Sequence, residues 1–92
     1  MNYFHEDLGE KNQGETIEVS VPTAGFVRLL DQDNYRLFRI RKHHQYNGGP
    51  VKETGIQLRI PARGHWHVIV EMPGLTPDAC EQIEVFTVTE GA

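Results

Sequence analysis

Apolar and polar residues alternate along much of the chain, the period-2 signature of strands with one buried face. Ile17, Val19 and Val21 point one way while Glu18 and Ser20 point the other. Pro22-Thr23-Ala24-Gly25 breaks the run, and Phe26-Val27-Arg28-Leu29-Leu30 starts a second strand. Ile56, Leu58 and Ile60 alternate with Gln57 and Arg59 until Pro61-Ala62-Arg63-Gly64 ends that strand, and residues 65–72 form another. Pro73-Gly74 and then Pro77 mark a longer turn, residues 83–88 make a last strand, and Gly91-Ala92 is coil. Residues 31–38 read two ways. Asp31 or Asp33 caps a short helix ahead of Leu37-Phe38, because either carboxylate accepts from free amides one turn later; alternatively the stretch is a strand carrying Phe38 and Ile40 inward.

Two segments share one template. Ile17-x-Val19-x-Val21-Pro22-x-x-Gly25 and Ile56-x-Leu58-x-Ile60-Pro61-x-x-Gly64 lie 39 residues apart, and each runs on into an aromatic or aliphatic strand. Proline cannot donate to a ladder and glycine supplies unusual backbone angles, so both copies predict a strand, a stop and a return. They read as two hairpins using common turn chemistry, or as two similar hairpins facing each other across one core. Either way the fold class is all-β: a small single-domain β-sandwich over residues 1–92 with about six to eight strands and room for one short helical turn around 32–38. Ile17, Val19, Val21, Ile56, Leu58, Ile60, Trp66, Val68, Val70, Ile83 and Val85 form its expected core. Residues 1–14 stay an N-terminal segment with no predicted element. Residues 42–55, almost without apolar side chains besides Tyr46 and Val51, read as one long loop, and loops of that length tend to be functional or disordered.

A length of 92 residues leaves no room for a second domain, and 38% hydrophobic with 24% charged residues is too apolar for a disordered chain. No run approaches the roughly 20 apolar residues of a membrane helix, and residues 1–8 lack the build of a signal peptide, so a cytoplasmic protein without a membrane partner is expected. The single cysteine, Cys80, excludes an internal disulfide framework. The net charge of −4 hides a pattern. Residues 1–27 carry a net of −4 and residues 64–92 a net of −5, whereas residues 28–63 hold eight of the nine basic residues against Asp31, Asp33 and Glu53, a net of +5. Such a bipolar chain suits an anionic partner or self-association between opposite faces.

The densest basic stretch, Tyr35-Arg36-Leu37-Phe38-Arg39-Ile40-Arg41-Lys42 followed by His43-His44-Gln45-Tyr46, interleaves cations with aromatics. That composition grips a nucleic-acid strand, but the same residues serve a core and intramolecular ion pairs, and a smaller anion or an acidic protein surface is the favoured partner over nucleic acid. Gly48-Gly49 allows backbone amides to approach an anion, although a plain turn uses the same residues. His65-x-His67 places two imidazoles on one face of a strand; with His43 and His44 they make a histidine metal site conceivable, yet nothing in the sequence brings loop and strand together. Trp66 inward sends both histidines outward. No Gly-x-Ser-x-Gly elbow, Walker loop, dinucleotide fingerprint or His-Glu-x-x-His occurs, Ser20 and Cys80 have no evident base, and neither an enzyme nor a cofactor is expected.

The combination Leu29-Leu30-Asp31-Gln32-Asp33-Asn34-Tyr35, His44-Gln45-Tyr46-Asn47-Gly48-Gly49 and Ile60-Pro61-Ala62-Arg63-Gly64-His65-Trp66-His67-Val68 resembles the bacterial domain-of-unknown-function family 1883 over about residues 15–88. Departures stand at Asn47, Pro50 and His67, where the family pattern has an aromatic, His and Asn. The resemblance implies a compact β-sandwich without assigned activity, and relatives fused to a TIR-type domain imply a recognition module in signalling or defence. The expected function is therefore a non-enzymatic module binding an anionic small molecule or a protein through Asp31, Asn34, Tyr35, Arg39, Arg41, Lys42, His44, Tyr46, Gly48 and Gly49. A structural homo-oligomer joined through opposite charged faces is the second reading, and a metal-dependent enzyme built on His43, His44, His65 and His67 the third.

Overall fold

In the computed structural model, which describes residues 3–52 and 55–88, the chain begins with a strand where no element was expected: β1 (Phe4–Lys11). Then come β2 (Thr16–Ser20), β3 (Gly25–Asp31), α1 (Gln32–Arg39), β4 (Asn47–Val51), β5 (Ile56–Arg59), β6 (Gly64–Glu71), α2 (Pro77–Glu81) and β7 (Glu84–Val88). The coil expected at Gly91-Ala92 lies outside the described residues. Among the described residues, seven strands form two antiparallel sheets, one ordered β1-β6-β3-β4 and the other β5-β2-β7, so the expected β-sandwich is the observed fold. No described helix is long and apolar enough to cross a membrane.

The repeated template makes corners, not hairpins. Strand β2 belongs to the three-stranded sheet and β3 to the four-stranded one; β5 and β6 divide in the same way. Pro22 and Pro61 therefore stop a strand in one sheet and hand the chain to the other. The pairing obeys the 39-residue offset: Ile17 faces Leu58 as Val19 faces Ile56, and Val27 faces Val70 as Asp31 faces Trp66. Exchanging the two copies reproduces each pairing, so β2–β3 and β5–β6 are related by a pseudo-two-fold through the core.

That core takes Ile17, Val19 and Leu58 from one sheet and Val27, Leu29, Trp66, Val68 and Val70 from the other. Val21, Ile60, Met72 and Ile83 close its ends, while Ile56 and Val85, expected inside, pack half-buried at its margin. The four-stranded sheet is covered on its second face too. Helix α1 packs there across β3 and β6, and Leu30, Ile69 and His67 are buried on the same face.

The two-way reading of residues 31–38 resolves as a helix. Asp31 is its N-cap, with Oδ1 accepting from the Asn34 amide at 2.8 Å. Ile40, inward in the strand reading, is 62% exposed at the helix C-cap. The helix ends in a Schellman turn: Lys42 N donates to Leu37 O at 2.9 Å and Arg41 N to Phe38 O at 3.1 Å. Arg41 takes the left-handed position of that turn with φ of 59°, the one non-glycine residue with positive φ among those described.

The 42–55 stretch is not one loop, because β4 occupies 47–51 at the edge of the larger sheet. Gly48 sits there with φ of 119°, and a Cβ on it would lie 2.3 Å from the Val27 carbonyl oxygen. The close approach that Gly48-Gly49 permits is thus to the backbone of β3: Gly48 pairs with Arg28 and Gly49 with Val27.

Candidate functional site

The ten residues singled out in the sequence fall into four places. Asp31, Asn34, His44 and Tyr46 rim a cavity of about 600 Å³ whose floor is Leu29 and Trp66. Arg39, Arg41, Lys42 and again His44 line a second cavity of about 340 Å³, together with Tyr3, Arg28, Phe38 and Glu71. Tyr35 lies apart, stacked on the His67 ring at 3.9 Å between centroids. Gly48 and Gly49 are in the β3–β4 ladder.

At the larger cavity the polar groups hold one another. Asp31 Oδ1 accepts from the Asn34 side-chain amide at 2.9 Å as well as from its backbone, and Asn34 Oδ1 accepts from the Gln45 backbone N–H at 2.8 Å. This chain of bonds ties the connection after α1 to the start of the helix. Trp66 Nε1 donates to the Ala62 carbonyl at 2.9 Å, which satisfies the polar edge of a ring only 7% exposed. The side of the cavity formed by Asp31, Asn34 and Trp66 is thus braced, while His43, Gln45, Tyr46 and Asn47 also line it.

The smaller cavity has the opposite character. Arg28 pairs with Glu71 and lies against three rings: Phe26 at 4.6 Å, Tyr46 at 5.2 Å and Phe38 at 5.5 Å from the guanidinium carbon. Tyr3 meets Phe38 edge to face at 5.1 Å, extending the aromatic wall. Glu71 is thus committed to Arg28, while Arg39, Arg41 and Lys42 are exposed and form no ion pair among the described residues. His44 donates from Nδ1 to the Lys42 carbonyl at 2.9 Å, leaving a buried Nε2 without a hydrogen-bond partner among the described residues. Three unmatched cations therefore surround an apolar aromatic wall.

A third cluster went unforeseen because it needs β1. In antiparallel register Asp7 faces His67 and His5 faces Ile69, so His5 and Asp7 share the outer face with His65 and His67. The sequence placed His67 outward, and outward it points; but α1 covers that face, and the residue is 2% exposed. His5 donates from Nε2 to His67 Nδ1 at 2.9 Å, and His67 donates from Nε2 to Gln32 Oε1 at 2.6 Å. His65 Nε2 lies 2.6 Å from Asp7 Oδ1, which also accepts from Gly9 N at 2.8 Å. Burial pushes the His67 imidazole below the usual histidine range, with His5 and His65 adding to the shift and Asp7 opposing it. The Gly9 amide, and after it His65, holds the Asp7 carboxyl below the usual carboxylate range. Asp7, His65 and His67 bring their ligand atoms within 4.8 Å of one another; His43 and His44, the other members of the conceivable histidine site, are not in that set and line the cavities instead. The readable signal would have been the matched His5-x-Asp7 and His65-x-His67 spacings, each placing two polar side chains on one face of a strand.

A two-sheet sandwich with paired sheet-crossing corners and a capped helix laid over its outer face defines the class of this protein. The chain belongs to the family described as a domain of unknown function, DUF1883, whose model matches residues 1–88 of the 92. Neither the curated proteins nor the solved structures yield a match.

Proposed function

We propose that the protein is a non-enzymatic binding module whose ligand is an anion carried on a flat apolar group, held in the smaller cavity. The observation that carries this reading is the set Arg39, Arg41 and Lys42, without counter-charge, around the Tyr3–Phe38 wall. The backbone at Arg41 supports it. A left-handed non-glycine residue costs about 1 kcal/mol or more relative to glycine, and such strain tends to persist where a side chain is needed. Here it sets a guanidinium at the cavity. A volume of about 340 Å³ suits a ring bearing one anionic group. Cations supply attraction and bidentate geometry, and the rings supply stacking area. The single free cysteine fits the cytoplasmic setting read from the sequence, and the bacterial setting rests on the family resemblance.

Isothermal titration with phenyl phosphate and with inorganic phosphate tests the reading. Saturable binding of one phenyl phosphate per chain is expected, roughly tenfold tighter than inorganic phosphate, because covering the ring contributes about 1–2 kcal/mol. Equal or absent binding of the two overturns it, as does a marked preference for a single-stranded oligonucleotide. Self-association is the competing reading, since Glu84 lies exposed on β7, in the sheet opposite α1, and the exposed acids Asp78 and Glu81 on α2 precede it in the chain. A dimer in light scattering that dissociates with added salt, without any phenyl phosphate binding, would favour it.

A further inference from the structure

We infer that Asp7, His65 and His67 form a binding site for a divalent first-row metal ion of the zinc class, separate from the anion cavity. The three side chains come from two neighbouring strands. His65 and His67 stand two residues apart on one face of β6, and Asp7 faces His67 across the β1–β6 ladder. A register shift between Asp7 and Gly9 breaks the ladder there, and the freed Gly9 N–H turns onto Asp7 Oδ1 at 2.8 Å while the same oxygen lies 2.6 Å from His65 Nε2. The three ligand atoms already lie within 4.8 Å of one another. A tetrahedral zinc site with bonds near 2.1 Å needs its ligand atoms about 3.4 Å apart.

The anchor and the movable parts are well separated. His67 is 2% exposed and cannot swing, whereas the side chains of His65 and Asp7 are 40% and 52% exposed and have room to close by the remaining distance. Gln32 Oε1 holds His67 through Nε2 at 2.6 Å, and Tyr35 stacks on the ring at 3.9 Å. A hydrogen bond of that kind on the far nitrogen fixes tautomer and orientation in metal-binding histidines. It leaves Nδ1 as the ligand nitrogen, now occupied by the proton that His5 donates. The ion would take that proton's place, and His5, keeping its proton, would turn its ring away. Two imidazoles and a carboxylate suit zinc, nickel or iron(II) far better than calcium or magnesium, which take oxygen ligands. Three protein ligands leave a fourth position open to water or to a small ligand.

The test uses untagged full-length protein, stripped with a chelator and titrated with Zn²⁺ against a chromophoric competitor. One equivalent is expected to bind, with affinity lowered at least tenfold in His65→Ala and in Asp7→Asn, whose exposed side chains leave the fold intact by circular dichroism. The pair His43→Ala and His44→Ala is expected to leave the affinity unchanged. Ring signals of His65 and His67 in NMR spectra are expected to move with the first equivalent. Absence of stoichiometric binding overturns the inference, and so does binding that survives in the Asp7→Asn/His65→Ala double variant or that is lost with His43 and His44. Phenyl phosphate binding is read in the His65→Ala and Asp7→Asn variants and is expected to persist, so failure of the metal site and failure of the anion cavity are told apart.

Discussion

Replacing Trp66 by alanine is expected to lower the unfolding free energy by about 3–5 kcal/mol. The ring sits on the inner face of β6, where it packs against the main core and floors the larger cavity. Its neighbours across the ladder are Asp31 on β3 and Gly9 on β1, so it lies where both strand pairings of β6 meet. Removing it joins the lost burial to the loss of the hydrogen bond that ties Ala62, in the second corner, to the sheet. Neighbours cannot collapse into the space because it already opens into a cavity. Domains of this size hold only about 5–15 kcal/mol in total, so the variant should unfold in urea at a far lower midpoint. A loss under about 1 kcal/mol would mean that the corner and the cavity floor do not depend on the indole. Trp66→Phe separates the two contributions, since it keeps a ring but leaves the Ala62 carbonyl without its donor.

Arg41→Gly should move stability and binding in opposite directions. At φ of 59° glycine is at ease and arginine is not, so the variant is expected to gain about 1 kcal/mol in unfolding free energy. The two Schellman bonds are made by backbone groups and remain. A hydrogen bond from a cation to an anion contributes about 1.5–3 kcal/mol, so phenyl phosphate affinity should fall by roughly 10- to 100-fold. A more stable protein with undiminished binding would remove Arg41 from the site. A less stable one would mean that its side chain holds the turn together instead.

The sheets were legible where one face meets the core and the other meets solvent, as at Ile17–Val19 and Leu58–Ile60. Strand β1 escaped because its inward residues are few: Phe4 and Leu8 pack on the core, whereas His5, Glu6 and Asp7 between them are polar and a register shift interrupts the period. Strand β4 escaped for a different reason. Asn47-Gly48-Gly49-Pro50 has turn composition, and it forms a strand only because it lies at a sheet edge where proline and glycine are tolerated. The template of Pro22 and Pro61 correctly marked repeated units around one core, but stop-and-return chemistry does not reveal whether the return stays in the same sheet. Asp31 announced its helix cap; the strand alternative persisted because Phe38 and Ile40 also fit a period of two. The basic, aromatic character of residues 35–46 was readable from composition, while its division between two cavities depends on how Asn34 ties Gln45 to the helix. The histidine cluster showed in the sequence only as the matched His5-x-Asp7 and His65-x-His67 spacings, because β1–β6 pairing brings the two together and α1 covers His67.

Anion binding at the smaller cavity meets its most direct test in NMR spectra of the isotope-labelled protein during titration with phenyl phosphate. The largest shifts are expected on the amides of Arg39, Arg41 and Lys42, the Nε–H groups of the two arginines and the rings of Phe38 and His44, while signals of the three-stranded sheet stay in place. Shifts centred on Asp78, Glu81 and Glu84, or on the larger cavity at Trp66 and Asn47, would contradict it, and so would spectra that the ligand leaves unchanged.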